Sequence, residues 1–219
     1  MPQSREDAWT GSWVTDKLEN HNKIAEVFTI SSNRVKVQRT SGDEYEIATI
    51  ASSHVNESNL LDILALERGV SFVTNISKDA YYHGRAINLA ESENIVLGNL
   101  GDLFRAMRLE NPRTYVNPEV RFILRGIKQH NRVSNVFRLD DRRYQIERVG
   151  LVRFIVLALH DYDLSADCIR DGLEKYGDCD AILSANQNCI LTKLAETAAK
   201  SAGIPVYKWA ELLGALNKP

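Results

Sequence analysis

The chain repeats itself. Laid over itself at an offset of 109 residues, Leu18-Glu-Asn-His-Asn-Lys-Ile-Ala-Glu-Val-Phe28 meets Ile127-Lys-Gln-His-Asn-Arg-Val-Ser-Asn-Val-Phe137. His21 falls on His130, Asn22 on Asn131, Arg34 on Arg143 and Arg39 on Arg148. The likeness fades in the middle. It returns where Asn94-Ile95 meets Gly203-Ile204 and Asp102–Met107 meets Glu211–Leu216, which predicts compensating length changes in the loops between. A repeat this long means two supersecondary units of one design rather than a short-period solenoid. The predicted boundary lies near Asn111-Pro112, with repeat one at 1–110 and repeat two at 111–219.

Each half yields the same order of elements, α-β-β-β-α-β-α-β-α. In half one a helix over 7–20 precedes strands at 24–31, 34–40 and 45–51, joined through the turn Ser31-Ser32-Asn33. A helix over 57–68 stops at Gly69. A strand at 70–74, a helix over 79–93, a strand at 95–97 and a helix over 102–108 follow. In half two Asn117 is expected to cap a helix that has Pro118 at its first position. Val120, Ile123, Leu124 and Ile127 fall at helical spacing on one apolar face. Strands near 133–139, 143–148 and 152–159 come next. The rest reads as helix, strand, helix, strand and helix through 216.

Composition sets the class. Hydrophobic residues make up 44% and charged residues 26%, with 12 Gly and 5 Pro, the ordinary mix of a soluble globular protein. Cys168, Cys179 and Cys189 are odd in number and lack Cys-x-x-Cys spacing, which argues against a disulfide framework and a structural zinc site and predicts buried thiols in a reducing compartment. No apolar run approaches the roughly 20 residues of a membrane helix, and the opening MPQSREDAW has no apolar signal region. These features predict a cytoplasmic protein with no membrane partner.

A helix, a three-strand meander, a helix and a further strand resemble the restriction-endonuclease-like fold. The tail of each half, Val73-Thr-Asn-Ile-Ser to Glu93-Asn-Ile-Val-Leu-Gly and Ala185-Asn-Gln-Asn to Ser201-Ala-Gly-Ile-Pro-Val-Tyr, resembles Mrr-type members. The resemblance implies two tandem repeats related by pseudo-two-fold symmetry around such a core. A flavodoxin-like or other Rossmann-type arrangement stays open for the αβαβα parts. The resemblance also implies catalysis through a carboxylate on the second strand and Glu-x-Lys on the third, which hold Mg²⁺ and stabilise the attacked phosphate. Neither half carries that set. The third strands read Glu44-Tyr-Glu-Ile-Ala-Thr-Ile and Arg153-Phe-Ile-Val-Leu-Ala-Leu, so the repeats are expected to be catalytically degenerate and to need no cofactor.

Several polar residues compete for a role. His21-Asn22 and His130-Asn131 are read as helix ends, with histidine favouring the dipole and asparagine the left-handed residue beyond it. His54 and His160 follow the third strands. His160, Asp161 and Asp163, with Asp180, are the residues a metal-dependent nuclease would use, with Mg²⁺ as its cofactor. The plainer reading is a loop ending in a helix cap at Asp163 or Ser165. Asn75 and Asn186 are expected to end the fourth strands, as ligand contacts or as turn formers.

Charge gives the strongest functional pointer. Residues 1–104 hold 9 Lys/Arg against 15 Asp/Glu, net −6, and 154–219 hold 6 against 9, net −3. Residues 105–153 hold 12 against 5, net +7. Arg121, Arg125 and Lys128 fall opposite the apolar face of their helix. Arg132, Arg138, Arg142, Arg143 and Arg148 extend the basic block through the following hairpin. Arginine suits bidentate phosphate pairing. The expectation is a non-catalytic protein that binds a nucleic-acid backbone through these eight residues, with host defence or DNA maintenance as the context that the fold resemblance suggests. A second expectation is an assembly subunit or dimer whose basic block meets an acidic protein surface. The third is the nuclease just described.

Overall fold

The structure, a computed structural model, describes residues 9–66 and 69–219. It is mixed α/β and divides into two compact units, Met1–Asn117 and Pro118–Pro219. The sequence places the boundary at 110/111. The segment between, with its 3₁₀ turn Pro112–Thr114, belongs to the first unit because the Tyr115 hydroxyl and the Asn117 amide both donate to Asp102 Oδ1, at 2.7 and 3.0 Å.

The first unit runs α1 (Thr10–Leu18), β1 (Ile24–Ser31), β2 (Arg34–Arg39), β3 (Glu44–Ile50), β4 (His54–Val55), α2 (Glu57–Leu66), β5 (Val70–Asn75), β6 (Tyr81–Tyr82), α3 (Gly84–Ser92), β7 (Val96–Asn99) and α4 (Leu100–Met107). Its sheet has the order β1-β2-β3-β5-β7. The first three strands form an antiparallel meander and the last three are parallel. Alternation along the strands sends side chains to opposite faces. Val35, Val37, Ile47 and Phe72 meet Val14, Leu18, Leu103 and Met107 of α1 and α4 on one face. Ala48, Ile50 and Val73 meet Leu60, Ile63, Ala86 and Ala90 of α2 and α3 on the other. β5 is buried at every position, as a parallel strand covered on both faces must be.

The second unit runs α5 (Pro118–Lys128), β8 (Val133–Arg138), β9 (Arg143–Arg148), β10 (Leu151–Leu159), β11 (Asp163–Leu164), α6 (Ala166–Tyr176), β12 (Ala181–Ser184), β13 (Ile190–Leu191), α7 (Lys193–Ser201), β14 (Val206–Tyr207) and α8 (Trp209–Ala215). Among the described residues this makes eight helices and two five-stranded mixed sheets, the second ordered β14-β12-β10-β9-β8. Ile123 and Ile127 of α5 and Leu212 and Leu216 at α8 pack on Tyr144, Ile146, Val156, Ala158 and Leu183.

The strand ladders keep the 109-residue offset through the middle, where sequence likeness fades. Ile47 pairs with Phe72 and Val156 with Ala181, while Ile50 pairs with Asn75 and Leu159 with Ser184. The connecting loops therefore match in length, against the compensating changes expected. Each unit also has a two-residue parallel ladder that the sequence reading missed, His54–Val55 on Tyr81–Tyr82 and Asp163–Leu164 on Ile190–Leu191. Two-residue strands are too short for any periodicity to show.

Local signals end the helices. Ser165 caps α6 by accepting from the Cys168 amide, and Thr192 caps α7 by accepting from the Ala195 amide. Asn94 and Gly203 take positive φ, 55° and 72°, just past α3 and α7, where the chain must reverse. His21 does not sit in a last helical turn. α1 ends at Leu18, and His21 lies beyond it, buried at 5% exposure. The three cysteines are free and half-buried rather than fully buried.

Candidate nucleic-acid interface

α5 positions the basic residues. Pro118 opens the helix with its backbone already set for the first turn. Ile123 and Ile127 point into the core. At about 100° per residue, Arg121, Arg125 and Lys128 then fall on the opposite side, and all three are exposed. Arg132 follows in the turn before β8 and is exposed too. The side chains of Arg125, Lys128 and Arg132 make no hydrogen bond or ion pair with the described residues, so their charge stays directed at solvent.

The rest of the expected set turns inward. Arg138 is half-buried. Arg142 Nη1 donates to Glu119 Oε2 at 3.1 Å and its Nε lies 3.9 Å from Asp141. Burial opposes the Arg142 charge, but the carboxylates of Glu119 and Asp141 outweigh it and hold the guanidinium above its ordinary pKa. Arg143 pairs with Asp140 at 2.7 Å and donates to the Asp178 carbonyl. Asp140 is fully buried and also accepts the backbone N–H groups of Arg142 and Arg143, which fixes the β8–β9 turn. Arg148 is 6% exposed; it donates to the carbonyls of Val152 and Lys218 and stacks over Phe154. Arg142, Arg143 and Arg148 thus hold the unit together, and the solvent-facing set reduces to α5 and Arg132.

The four residues of the nuclease reading do not converge. His160, just past β10, has its Nε2 3.7 Å from Glu119 Oε1. Asp161 is exposed, and Asp163 is an exposed member of β11. Asp180 precedes β12 and accepts the Ile155 N–H at 2.7 Å, near the opposite end of the sheet from His160. No three His, Cys, Asp or Glu side chains among the described residues are grouped to hold a metal ion.

A different polar cluster surrounds His160. Glu119 bridges Arg142 and His160, while Asp141 accepts from the Tyr176 hydroxyl at 3.1 Å. Burial and the neighbouring Asp141 raise the Tyr176 pKa well above the usual range, so the phenol stays protonated. The place of Glu119 in this cluster is not legible in the sequence. It reads as an ordinary first-turn acid, and its partners lie 23 and 41 positions away in sequence.

The two halves differ at the remaining candidates. By strand pairing His54 corresponds to Asp163, not to His160, and its ring lies near Tyr81 and His83, centroids 5.7 and 6.0 Å away. Asn75 ends β5, whereas β12 ends at Ser184 and Asn186 lies two residues beyond. Asn75 seals its strand end by accepting from the N–H groups of Ser52 and Ser77 and donating to the Ser52 carbonyl. No described helix is long and apolar enough to cross a membrane. Comparisons with protein-family models, curated proteins and solved structures find no match.

Proposed function

We propose that this chain binds a nucleic-acid backbone without cleaving it, using the exposed face of α5 and Arg132. The observation that carries the reading is the set Arg121, Arg125 and Lys128, ranged along one solvent face of a helix whose other side is anchored in the core. Positive side chains on a rigid element release counterions on contacting phosphates, and the resulting affinity is salt-dependent and indifferent to sequence. Within this reading the chain is two tandem α-β-β-β-α-β-α-β-α repeats related by pseudo-two-fold symmetry, each with a restriction-endonuclease-like core. The shared 109-residue offset of the ladders supports the duplication. The degenerate state of both copies is supported by Ala48 and Leu157, side by side with Arg34 and Arg143 across the β2–β3 and β9–β10 ladders, where neither copy places a lysine. Defence against foreign DNA or DNA maintenance is the context that resemblance offers, and it rests on analogy of fold alone.

The test is an Arg121→Glu/Arg125→Glu double variant in a gel-shift assay with duplex DNA. Loss of the shift with an unchanged circular-dichroism spectrum is expected; unchanged affinity rejects the reading.

A second reading, assembly into a dimer or larger complex, is favoured by one observation. β1 and β8 are the outermost strands of their sheets and expose Phe28, Ile30 and Phe137 at 49%, 49% and 41%. Open edges with apolar side chains invite pairing with another chain. A monomer at high concentration by light scattering, with no partner retained on an immobilised acidic protein, removes this reading.

A further inference from the structure

The parallel strands of the second unit end beside a pocket of about 440 Å³, lined by Phe122, Ser184, Asn186, Lys208 and Trp209 among others. Crevices outside the carboxyl ends of parallel strands are where open α/β sheets take ligands, and this volume suits a small molecule. Trp209 is held in place: its Nε1 donates to the Ala185 carbonyl at 3.4 Å, and Phe122 meets it edge-on at 5.1 Å between centroids. Phe122 is 40% exposed. Around the α5 axis it lies between the buried face and the Arg121–Arg125–Lys128 stripe, so the pocket opens beside the basic face.

Three polar features are unspent. Ser184 is 2% exposed, and its buried Oγ has no hydrogen-bond partner among the described residues. Buried hydroxyls are almost always paired, so this one calls for an explanation. The Lys208 ammonium makes no ion pair with the described residues; its backbone is engaged, the N–H by Glu211 and the carbonyl by the Leu212 N–H. Asn186 spends its Oδ1 on the Asn188 N–H, while its Nδ2 has no bond to the described residues. The first unit differs at the same register. Asn75 stands in place of Ser184 with its amide bonded to backbone, and Trp13, packed on the core, stands in place of Phe122; Leu100 packs on its core as Trp209 does, but offers no aromatic face.

We infer that this pocket seats one nucleotide unit, with its base against Trp209 and Phe122, its base edge or sugar toward Ser184 and Asn186, and its phosphate toward Lys208. Aromatic faces accept any base by stacking, and amides and hydroxyls bond the edges of an unpaired one. The inference rests on the backbone-binding reading for its source: the unit is an unpaired end or gap of a strand lying along α5. A free nucleotide shares the chemistry, and the experiment separates the two.

The experiment uses the full chain and three probes: a duplex with a single-stranded overhang, a dumbbell duplex closed at both ends by non-nucleotide linkers so that it has no unpaired base, and AMP. Binding is read by gel shift for the two DNAs and by tryptophan fluorescence for all three. Wild type is expected to bind the overhang about tenfold more tightly than the dumbbell, with quenching that Trp209→Phe abolishes. Ser184→Val and Lys208→Glu are expected to erase that preference and leave dumbbell affinity within twofold. AMP quenching that is lost in Ser184→Val, without any overhang preference, supports the pocket with a free nucleotide as its source. If no probe quenches Trp209, or if both variants leave every affinity unchanged, the pocket assignment is overturned, even where the dumbbell binds through α5. A dumbbell that fails to bind while AMP quenches sinks the backbone-binding reading and leaves the pocket standing.

Discussion

The Arg148 guanidinium donates to the main-chain carbonyl of Lys218 at 2.7 Å, tying the end of β9 to the chain just past α8. Arg39 does the same in the first unit, reaching the carbonyls of Leu109 and Glu110 at 2.7 and 3.0 Å from the end of β2. Each clamp closes its unit by pinning the last helix to the sheet. Arg148→Met keeps much of the volume but leaves the Val152 and Lys218 carbonyls without their donor. A loss of about 3 kcal/mol in urea unfolding is expected, since buried charge-assisted bonds are broken on one side only. A loss below about 0.5 kcal/mol refutes the clamp.

The division of the arginines into outward and inward groups is testable through salt. Every cation withdrawn from a phosphate lowers the slope of log K against log salt by about 0.9 for duplex DNA. Lys128→Ala and Arg132→Ala should each flatten the slope by about that much, with no change in stability. Arg138 aside, substitutions in the hairpin such as Arg143→Ala should lower stability and leave the slope unchanged.

His21 makes folding sensitive to mild acid. Its Nε2 lies 3.1 Å from the Phe104 carbonyl and its Nδ1 accepts the Lys23 N–H, an arrangement that suits the neutral ring. Burial lowers its pKa below the ordinary value of 6.5. The Phe104 carbonyl opposes that shift, and Arg108 and Arg39 reinforce it. The unfolded chain therefore takes up a proton that the folded chain resists. The stabilisation is complete above pH 6.5 and is lost as pH falls from there through the folded-state pKa. Chemical unfolding at pH 7.5 and pH 5 should show a drop in wild type that is smaller in His21→Leu; equal drops would exclude His21 as its source.

Gly126 lets α5 approach Trp209. A Cβ there would lie 2.7 Å from Trp209 Cζ3 and 3.1 Å from Cη2. Alanine would add helix propensity of up to about 1 kcal/mol, but overpacking against a ring held on two sides costs about 1–3 kcal/mol. Gly126→Ala should therefore be destabilising by about 1 kcal/mol and should shift the tryptophan emission. A gain in stability would show that the ring moves freely.

Cys179 should be slow to alkylate. Burial, and then the nearby Asp180, push its thiol pKa up to about 11, so little thiolate exists at pH 8. Peptide mapping after a short pulse of iodoacetamide should find it unlabelled in the folded protein and labelled in urea. Rapid labelling in the folded state would contradict that burial.

Periodicity carried the mixed α/β fold a long way. The apolar spacing of Val120, Ile123 and Ile127 placed α5 and also pointed Arg121, Arg125 and Lys128 outward, because helical geometry settles both faces at once. The matching of Arg39 with Arg148 and His21 with His130 falls at the same 109-residue offset that the strand ladders keep. What stayed hidden depended on contacts distant in sequence. Nothing local distinguishes Arg132, which faces solvent, from Arg148, whose carbonyl partners arrive only when the final turn of the chain docks. Nothing local joins Glu119 to His160, or separates Asp180 from it; strand pairing sets those distances. Nor does the Asn75-to-Ser184 change announce a pocket, because a side chain's spare hydrogen-bonding capacity is defined only once its neighbours are in place. Local patterning thus determined the elements and their faces, while the long-range closure of each sheet decided which charges face solvent and which hydroxyls lack a bond among the described residues.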